Sequence, residues 1–477
     1  MTEVYATARE MLADLAAKRI SARELLELHV TRNKALHGKL NAVVATDLDR
    51  TRHDAGTIDD ARAKGEKLGA LAGLPMTIKD SLDVAGMPAT SGAPVFAHRD
   101  KDCVDADVVA AARKAGAVLW GKTNVPFMLG DIQSYNEIYG TTNNPYDVTR
   151  TPGGSSGGAA TALAAGITPL EIGSDIGGSL RHPANFCGVC ALKPTWGALP
   201  LRGHIPPSPD TFSETDLGVV GPMARNTGDL RLLWDVLRGQ AGAASKPVKN
   251  ARIAIWDEES GFPLARDVRD AVGRAADALS RQGAQVARAK PAISGEALMA
   301  PYNAILLAIL SMGLPDEVYR SFEAMREQDR KIVAQGGDNS GAAQFRLLST
   351  PSYREYARAL VARQRQKDIL ADFFAQGWDA IVMPISPVVA FPHNQKGSFA
   401  DRVLQVDGRD VPYSSLLNWI ALATSLHAPS LAVQAGQTAQ GLPVGVQIVG
   451  PWHGEDRLFD FSGAVERELG GFSPPPL

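Results

Sequence analysis

Two stretches decide how this chain folds: Thr151-Pro152-Gly153-Gly154-Ser155-Ser156-Gly157-Gly158-Ala159 and Gly173-Ser174-Asp175-Ile176-Gly177-Gly178-Ser179-Leu180-Arg181-His182-Pro183. Each is a glycine-rich loop that carries serine, and Ser155 and Ser179 stand 24 residues apart. Ten of the 46 glycines fall between residues 151 and 200, so a modest overall excess is concentrated where the backbone must turn tightly or approach another group. The first loop runs into a small-residue helix, expected over 157–166. The second follows the short apolar segment 169–172.

Outward from these loops, short apolar strands alternate with helices. Leu74 to Ile78 reads as a strand, 105–115 as a helix and Ala117 to Trp120 as a buried strand. Upstream, the first 37 residues read as two amphipathic helices, and Ser21-Ala22-Arg23-Glu24 is a capping box that starts the second at Ala22. Ala42 to Ala45 is a candidate strand and 49–68 a polar helix. Downstream, 252–256 is a strand, 268–281 an amphipathic helix, 295–375 almost wholly helical, and 379–384 a strand. Ser430 to Gln434 and Gly445 to Val449 form a last strand pair. This alternation predicts an α/β architecture with a central sheet covered by helices. Length divided by about 150 suggests three domains as a prior, but no long linker interrupts the pattern.

Composition narrows the function. Lys and Arg number 49 against 52 Asp and Glu, for a net charge of -3, which gives no basic field for nucleic acid or an anionic membrane. The N-terminus shows no basic segment followed by an apolar one, so no signal peptide is expected. The longest aliphatic stretch, Ala304 to Leu310, is far shorter than the roughly 20 residues of a membrane span. Three cysteines cannot build a disulfide framework, and they fit a reducing, cytoplasmic location.

Three motifs suggest other chemistries. Gly116 to Thr123 matches a phosphate-binding P-loop by spelling. Its middle residues, Ala117-Val118-Leu119-Trp120, read instead as the strand itself, and Pro126 disfavours a helix where the motif needs one. Cys187 and Cys190 have no second pair to complete a zinc site and lie among apolar residues, so they read as buried structural thiols. Gly153 to Gly157 fits the nucleophile elbow of α/β-hydrolases, with Ser155 attacking. His204, His393, His427 and His453 all lie downstream as possible bases, and none sits in a marking motif.

A reading that uses more residues joins the two loops to Gly73-Leu74-Pro75-Met76-Thr77-Ile78-Lys79-Asp80 and to Leu442-Pro443-Val444-Gly445-Val446-Gln447-Ile448-Val449-Gly450. Together they resemble the amidase signature family of serine hydrolases, over nearly the whole chain. The resemblance implies a three-layer α/β/α sandwich with a large twisted mixed β-sheet. It also implies one domain over 1–477, with N-terminal helices (1–66), a signature core (67–240), a variable helical region (295–375) and C-terminal strands (379–465). It implies Ser179 as nucleophile, Ser155 as a bridging serine in a cis peptide and Lys79 as base. Such a base must be neutral, and burial at an apolar strand end lowers an ammonium pKa. The backbone N–H groups of Ile176, Gly177, Gly178 and Ser179 are the implied oxyanion hole. Ser156, Ser174, Asp175 and Arg181 are implied supports, and Lys193 a fold residue.

The family includes free amidases and the A subunit of a glutamine-dependent tRNA amidotransferase. In the latter, a serine-rich segment ending in Asp-Gln is expected between Lys-Pro-Thr and the next Gly-Pro-Met. This chain has residues 197–220 there, without that pattern, which resembles stand-alone bacterial amidases. Met128, Tyr135, Asn136, Tyr302 and Ile305 are candidate substrate-pocket residues, pointing to a medium, largely apolar or aryl amide, with esters and carbamates open. The 295–375 helices either roof the pocket or simply pack on the sheet. The expectation is a small-molecule amide substrate, no cofactor, no metal, no nucleic acid and no membrane, in a monomer or homodimer.

Overall fold

The computed structural model describes residues 3–99, 104–206, 214–338 and 341–477. Eleven strands form one sheet: β1 (Val43–Thr46), β2 (Pro75–Lys79), β3 (Val118–Thr123), β4 (Leu170–Asp175), β5 (Cys190–Lys193), β6 (Val219–Ala224), β7 (Arg252–Ile255), β8 (Gln285–Arg288), β9 (Ala380–Pro384), β10 (Ser430–Gln437) and β11 (Pro443–Val449). Their order across the sheet is β1-β3-β2-β4-β6-β5-β10-β11-β9-β7-β8. The pairs β2–β3, β2–β4, β9–β7 and β7–β8 are parallel, whereas β4–β6 and β10–β11 are antiparallel. The sheet is therefore mixed, as the resemblance implies.

Side chains alternate across the strands, so the sheet buries two faces. Leu192, Val382 and Val433 join the core beneath the helices Ala22–Leu40, Arg266–Arg281 and Glu455–Leu469. Their neighbours Ala191, Ile381 and Ala432 join the opposite core, with Gly157–Ala164, Gly295–Leu310 and Ala421–Ser425. These are the three layers of the expected sandwich. The capping box forms as read: Glu24 N–H donates to Ser21 Oγ at 3.1 Å, and Ser21 N–H to a Glu24 carboxylate oxygen at 2.9 Å.

The structure differs from the sequence reading in several places. Strand β3 does not stop at Trp120 but continues to Thr123. Lys122, the lysine of the P-loop spelling, lies inside that strand. It is fully buried, donates to the Leu82 and Pro88 carbonyls at 2.7 and 2.9 Å, and lies 3.7 Å from Asp80. Strand β8 lies at the sheet edge with Gln285, Ala287 and Arg288 exposed and no continuous apolar run, which hides it from an apolar search. The helix Gly295–Leu310 extends through a further turn to Gly313. This run of 19 residues is long and apolar enough to cross a membrane by length and composition, which a count of consecutive aliphatics overlooks. Here its residues Leu298, Tyr302, Ile305 and Leu306 pack into the core.

Removing one partner from a buried ion pair leaves the other charge uncompensated. Lys122→Ala should therefore destabilise the fold by about 3–5 kcal/mol, read as a lower urea midpoint; an unchanged midpoint would show that the buried amine contributes little.

Candidate active site

Strands β2 and β4 run parallel, with Thr77 opposite Glu171 and Ile78 opposite Ile172. Their carboxyl ends therefore emerge side by side, the position where open α/β sheets place their sites. Lys79 ends β2, and Ser174 and Asp175 end β4. Lys79 is fully buried, and its Nζ lies 2.7 Å from Ser155 Oγ and 2.9 Å from Ser174 Oγ. Burial pushes the Lys79 amine down to about 7, against the upward pull of the Asp175 and Glu171 carboxylates.

The loop before the helix Gly157–Ala164 brings Ser155 to that amine. The peptide bond Gly154–Ser155 is cis. A Cβ on Gly154 would lie 2.6 Å from the Asp131 carbonyl oxygen and the Gln133 nitrogen, so no larger residue fits there. The Ser134 hydroxyl donates to the Gly153 carbonyl and accepts from Gly157 N–H, both at 3.1 Å. Ser156 ties the two serine loops together: its N–H donates to the Ser179 carbonyl at 3.2 Å, and its hydroxyl to the Ser174 carbonyl at 3.4 Å. Ser179 retains a small exposure of 6 %, against 1 % for Ser155 and none for Ser156.

Asp175 organises the turn that carries Ser179. Its carboxylate accepts from Gly178 N–H at 2.9 Å, Leu180 N–H at 3.1 Å, and Arg181 Nε and Nη2 at 3.0 and 2.9 Å. Burial alone would raise its pKa, but the Arg181 guanidinium and these hydrogen bonds outweigh that and hold it well below the usual carboxylate range. Arg181 is fully buried and also donates to the Ile420 carbonyl, Gln447 Oε1 and Thr424 Oγ1. The implied support residue Arg181 thus both pairs with a carboxylate and ties the turn to the core.

This arrangement corrects the expected oxyanion hole. The Gly178 N–H is already donated to Asp175, so it is not available to a developing oxyanion. The N–H groups of Ile176, Gly177 and Ser179 have no such commitment among the described residues. Gly178 serves the turn instead: its φ is +90°, and a Cβ there would meet His182 at 2.4 Å.

The expected pocket residues divide. Tyr302 reaches the site, donating its hydroxyl to the Ile176 carbonyl at 3.2 Å. Ile305, one turn on, is buried in the helix–sheet core. Tyr135 donates to Asp131 at 2.8 Å. The Asn136 side-chain amide donates to Asn124 Oδ1 and the Val125 carbonyl, and its side-chain oxygen accepts from Ile138 and Tyr139 N–H. Asn136 therefore braces the loop and is not a free pocket group. Met128 adopts a left-handed conformation, its N–H donating to the Ser91 carbonyl at 2.7 Å. Leu417 approaches the oxyanion turn, 3.4 Å from where a Gly177 Cβ would be. Sequence reasoning missed it, because its contact joins segments 240 residues apart.

The histidines do not form a hydrolase triad with Ser155. His427 bonds Asp216 at 2.7 Å and stacks on Trp196, and His393 bonds Asn143. His453 donates its backbone N–H to Thr195. His204 comes nearest, with Nε2 2.8 Å from Ser174 Oγ; a histidine between glycine and an Ile-Pro pair carries little local signal of that. Cys187 and Cys190 are free and buried, as read. Lys193 is buried too and donates to the Pro194 carbonyl at 2.7 Å.

The site thus holds a buried amine between two serine hydroxyls, beside a second serine loop whose Ile176, Gly177 and Ser179 N–H groups are uncommitted among the described residues. The family model for amidases matches residues 24–459, and the chain belongs to the amidase family. It is an amidase signature enzyme, a C–N hydrolase. It is 33% identical over 495 residues to the glutamyl-tRNA(Gln) amidotransferase A subunit of Anaeromyxobacter sp. (strain K), covering 98% of this chain and 97% of that one. Its counterpart from Heliobacterium modesticaldum is 32% identical, covering 98% of each. Among solved structures, an inhibitor-bound protein from work on the origins of an s-triazine catabolic enzyme superposes with a TM-score of 0.80 at 28% identity, covering 98% of this chain and 100% of that one. A bacterial aryl acylamidase superposes at 0.81 with 23% identity, covering 97% and 96%, a likeness of fold.

If neutral Lys79 is the base, activity rises with pH through about 7 and levels off above it, because only the deprotonated amine accepts a proton. Lys79→Ala should lower turnover at neutral pH by about 10²–10⁴-fold. A pH–rate profile that is flat across neutrality would remove Lys79 from that role.

Proposed function

We propose that the enzyme hydrolyses a small to medium, largely apolar or aryl amide through an acyl-enzyme on Ser179. The reading rests on the contact of Lys79 Nζ with Ser155 Oγ at 2.7 Å. A neutral amine there takes the Ser155 proton as Ser155 takes that of Ser179. Ser179 Oγ bonds to the amide carbon, and the carbonyl oxygen gains negative charge. The N–H groups of Ile176, Gly177 and Ser179 stabilise that oxyanion without reorganising. The same relay returns a proton to the leaving nitrogen, the C–N bond breaks, and water then repeats the sequence to release the acid. Esters and carbamates present the same carbonyl chemistry. The apolar preference follows from Leu417 and Tyr302 beside the oxyanion turn. The enzyme works in the cytoplasm as a monomer or homodimer.

The relatives favour a second reading. Those 32–33% identical are named as A subunits of a glutamyl-tRNA(Gln) amidotransferase. On this reading the same acyl-enzyme forms on glutamine, the released ammonia is passed on, and the chain works beside partner proteins and tRNA. The departure of the sequence at 197–220 favours the first reading; of this segment, 207–213 lie outside the described residues.

The two separate on one bench. Purified protein is assayed against aryl amides, aliphatic amides, carbamates, esters and glutamine, alone and with co-purified partners and tRNA. Hydrolysis of an aryl or aliphatic amide by the lone chain supports the first reading. Glutaminase activity that requires partner and tRNA supports the second. Ser179→Ala should abolish either, by several orders of magnitude, with the melting temperature unchanged; a folded, active variant sinks the acyl-enzyme on Ser179.

A further inference from the structure

Lys79 faces an ambiguity. A neutral amine has one lone pair, yet two serine hydroxyls lie at nearly equal distances, Ser155 at 2.7 Å and Ser174 at 2.9 Å. If Ser174 gave its proton to that lone pair, the base would be occupied and Ser155 could not use it. Something must distinguish the two hydroxyls.

We propose that His204 is a positioning residue that makes Ser174 an acceptor toward Lys79, and so leaves the amine lone pair to Ser155. This rests on the acyl-enzyme reading above. His204 Nδ1 lies 2.8 Å from the Pro206 carbonyl oxygen. A carbonyl can only accept, so Nδ1 carries the proton. Burial holds the ring neutral, at about 3. Nε2 is therefore bare, and it lies 2.8 Å from Ser174 Oγ. The Ser174 hydroxyl donates there, and its oxygen is left to accept from a Lys79 N–H. One N–H of the amine is then fixed on Ser174, and the lone pair turns to Ser155.

The backbone delivers this ring in register with the base. The segment that follows β2 pairs with the His204 segment: Asp83 N–H donates to the Gly203 carbonyl and Ile205 N–H to the Ser81 carbonyl, both at 2.8 Å. Leu82 and His204 form a β-bridge. The segment that continues from Lys79 is thus hydrogen-bonded directly to the segment that carries His204. The ring touches neither Ser155 nor Ser179 by any hydrogen bond among the described residues, so its effect passes through Ser174.

A substrate-independent readout suits the test. A fluorophosphonate probe reacts with an activated serine: the Ser179 Oγ–P bond forms, the P–F bond breaks, and the serine proton leaves through Ser155 to Lys79. Labelling rates, with the site mapped by mass spectrometry, are compared for the wild type, His204→Leu, His204→Asn and His204→Gln, alone and combined with Ser174→Ala. Leucine has no acceptor, and asparagine keeps a donor for Pro206 but is too short to reach Ser174. Both should slow labelling by about tenfold or more. Glutamine places an amide oxygen near the Nε2 position and should recover most of the rate. In the Ser174→Ala background, His204→Asn should add no further loss, because the atom through which it acts is gone. Glutamine as slow as asparagine, or an undiminished loss in the Ser174→Ala background, overturns the proposal, and melting temperatures confirm that each variant is folded. Labelling that persists in Ser179→Ala instead overturns the acyl-enzyme reading and is thereby distinguished.

Discussion

The site depends on removing one ammonium from water. Lys79 ends an apolar strand with no exposed surface, and desolvation brings its pKa from the usual lysine range to about 7. Two carboxylates, Asp175 and Glu171, pull it back up. Were they stronger or nearer, the amine would stay charged and could not act as a base. Asp175 is kept from doing so by Arg181, which takes both of its oxygens. The buried ion pair thus has an electrostatic role besides its structural one: it offsets the carboxylate that pulls hardest on the Lys79 amine.

The same ion pair connects the chemistry to the far half of the chain. Arg181 reaches Ile420, Thr424 and Gln447, and Gln447 donates to the Pro384 and Trp419 carbonyls at 2.7 and 2.8 Å. Removing any one of these groups leaves a buried polar partner unpaired, which is costly in a low-dielectric interior. The turn from Ile176 to Ser179 therefore sits on a network spanning β4, β9 and β11 rather than on local glycine geometry alone. Glycine permits the turn, and Asp175 holds it.

What was legible in the sequence followed from local pattern. The strand ending at Lys79 shows as an apolar run stopped by a cation, and the capping box at Ser21 shows as spelling. The apolar run Ala117 to Trp120 together with Pro126 marked the P-loop match as accidental. What escaped depends on groups distant in the chain. The Gly178 N–H looks like its neighbours in sequence; only the fold shows that Asp175 has claimed it. His204 lies 30 residues beyond Ser174 and 125 beyond Lys79, and no spacing rule connects them. The edge strand β8 escaped for a different reason, since exposed edge positions need not be apolar.

The division between the two functional readings follows from the same geometry. In the proposed mechanism Lys79, Ser155, Ser179 and the N–H groups of Ile176, Gly177 and Ser179 act on any carbonyl with a leaving nitrogen, so they carry no information about the rest of the substrate. Selection must come from what surrounds the acyl position. On one side stand Tyr302 and Leu417, a phenol whose hydroxyl is spent on the Ile176 carbonyl and an aliphatic side chain. A glutamine would bring a free ammonium and a carboxylate that need charged partners once water is excluded. Arg181 cannot supply one, since its guanidinium is wholly committed inside the core. Asp131 accepts from Tyr135 and Tyr413 and pairs with Arg402 at 2.8 Å. The charges of Arg181 and Asp131 are thus satisfied within the protein, and the proposed preference for an uncharged amide rests in part on that pairing.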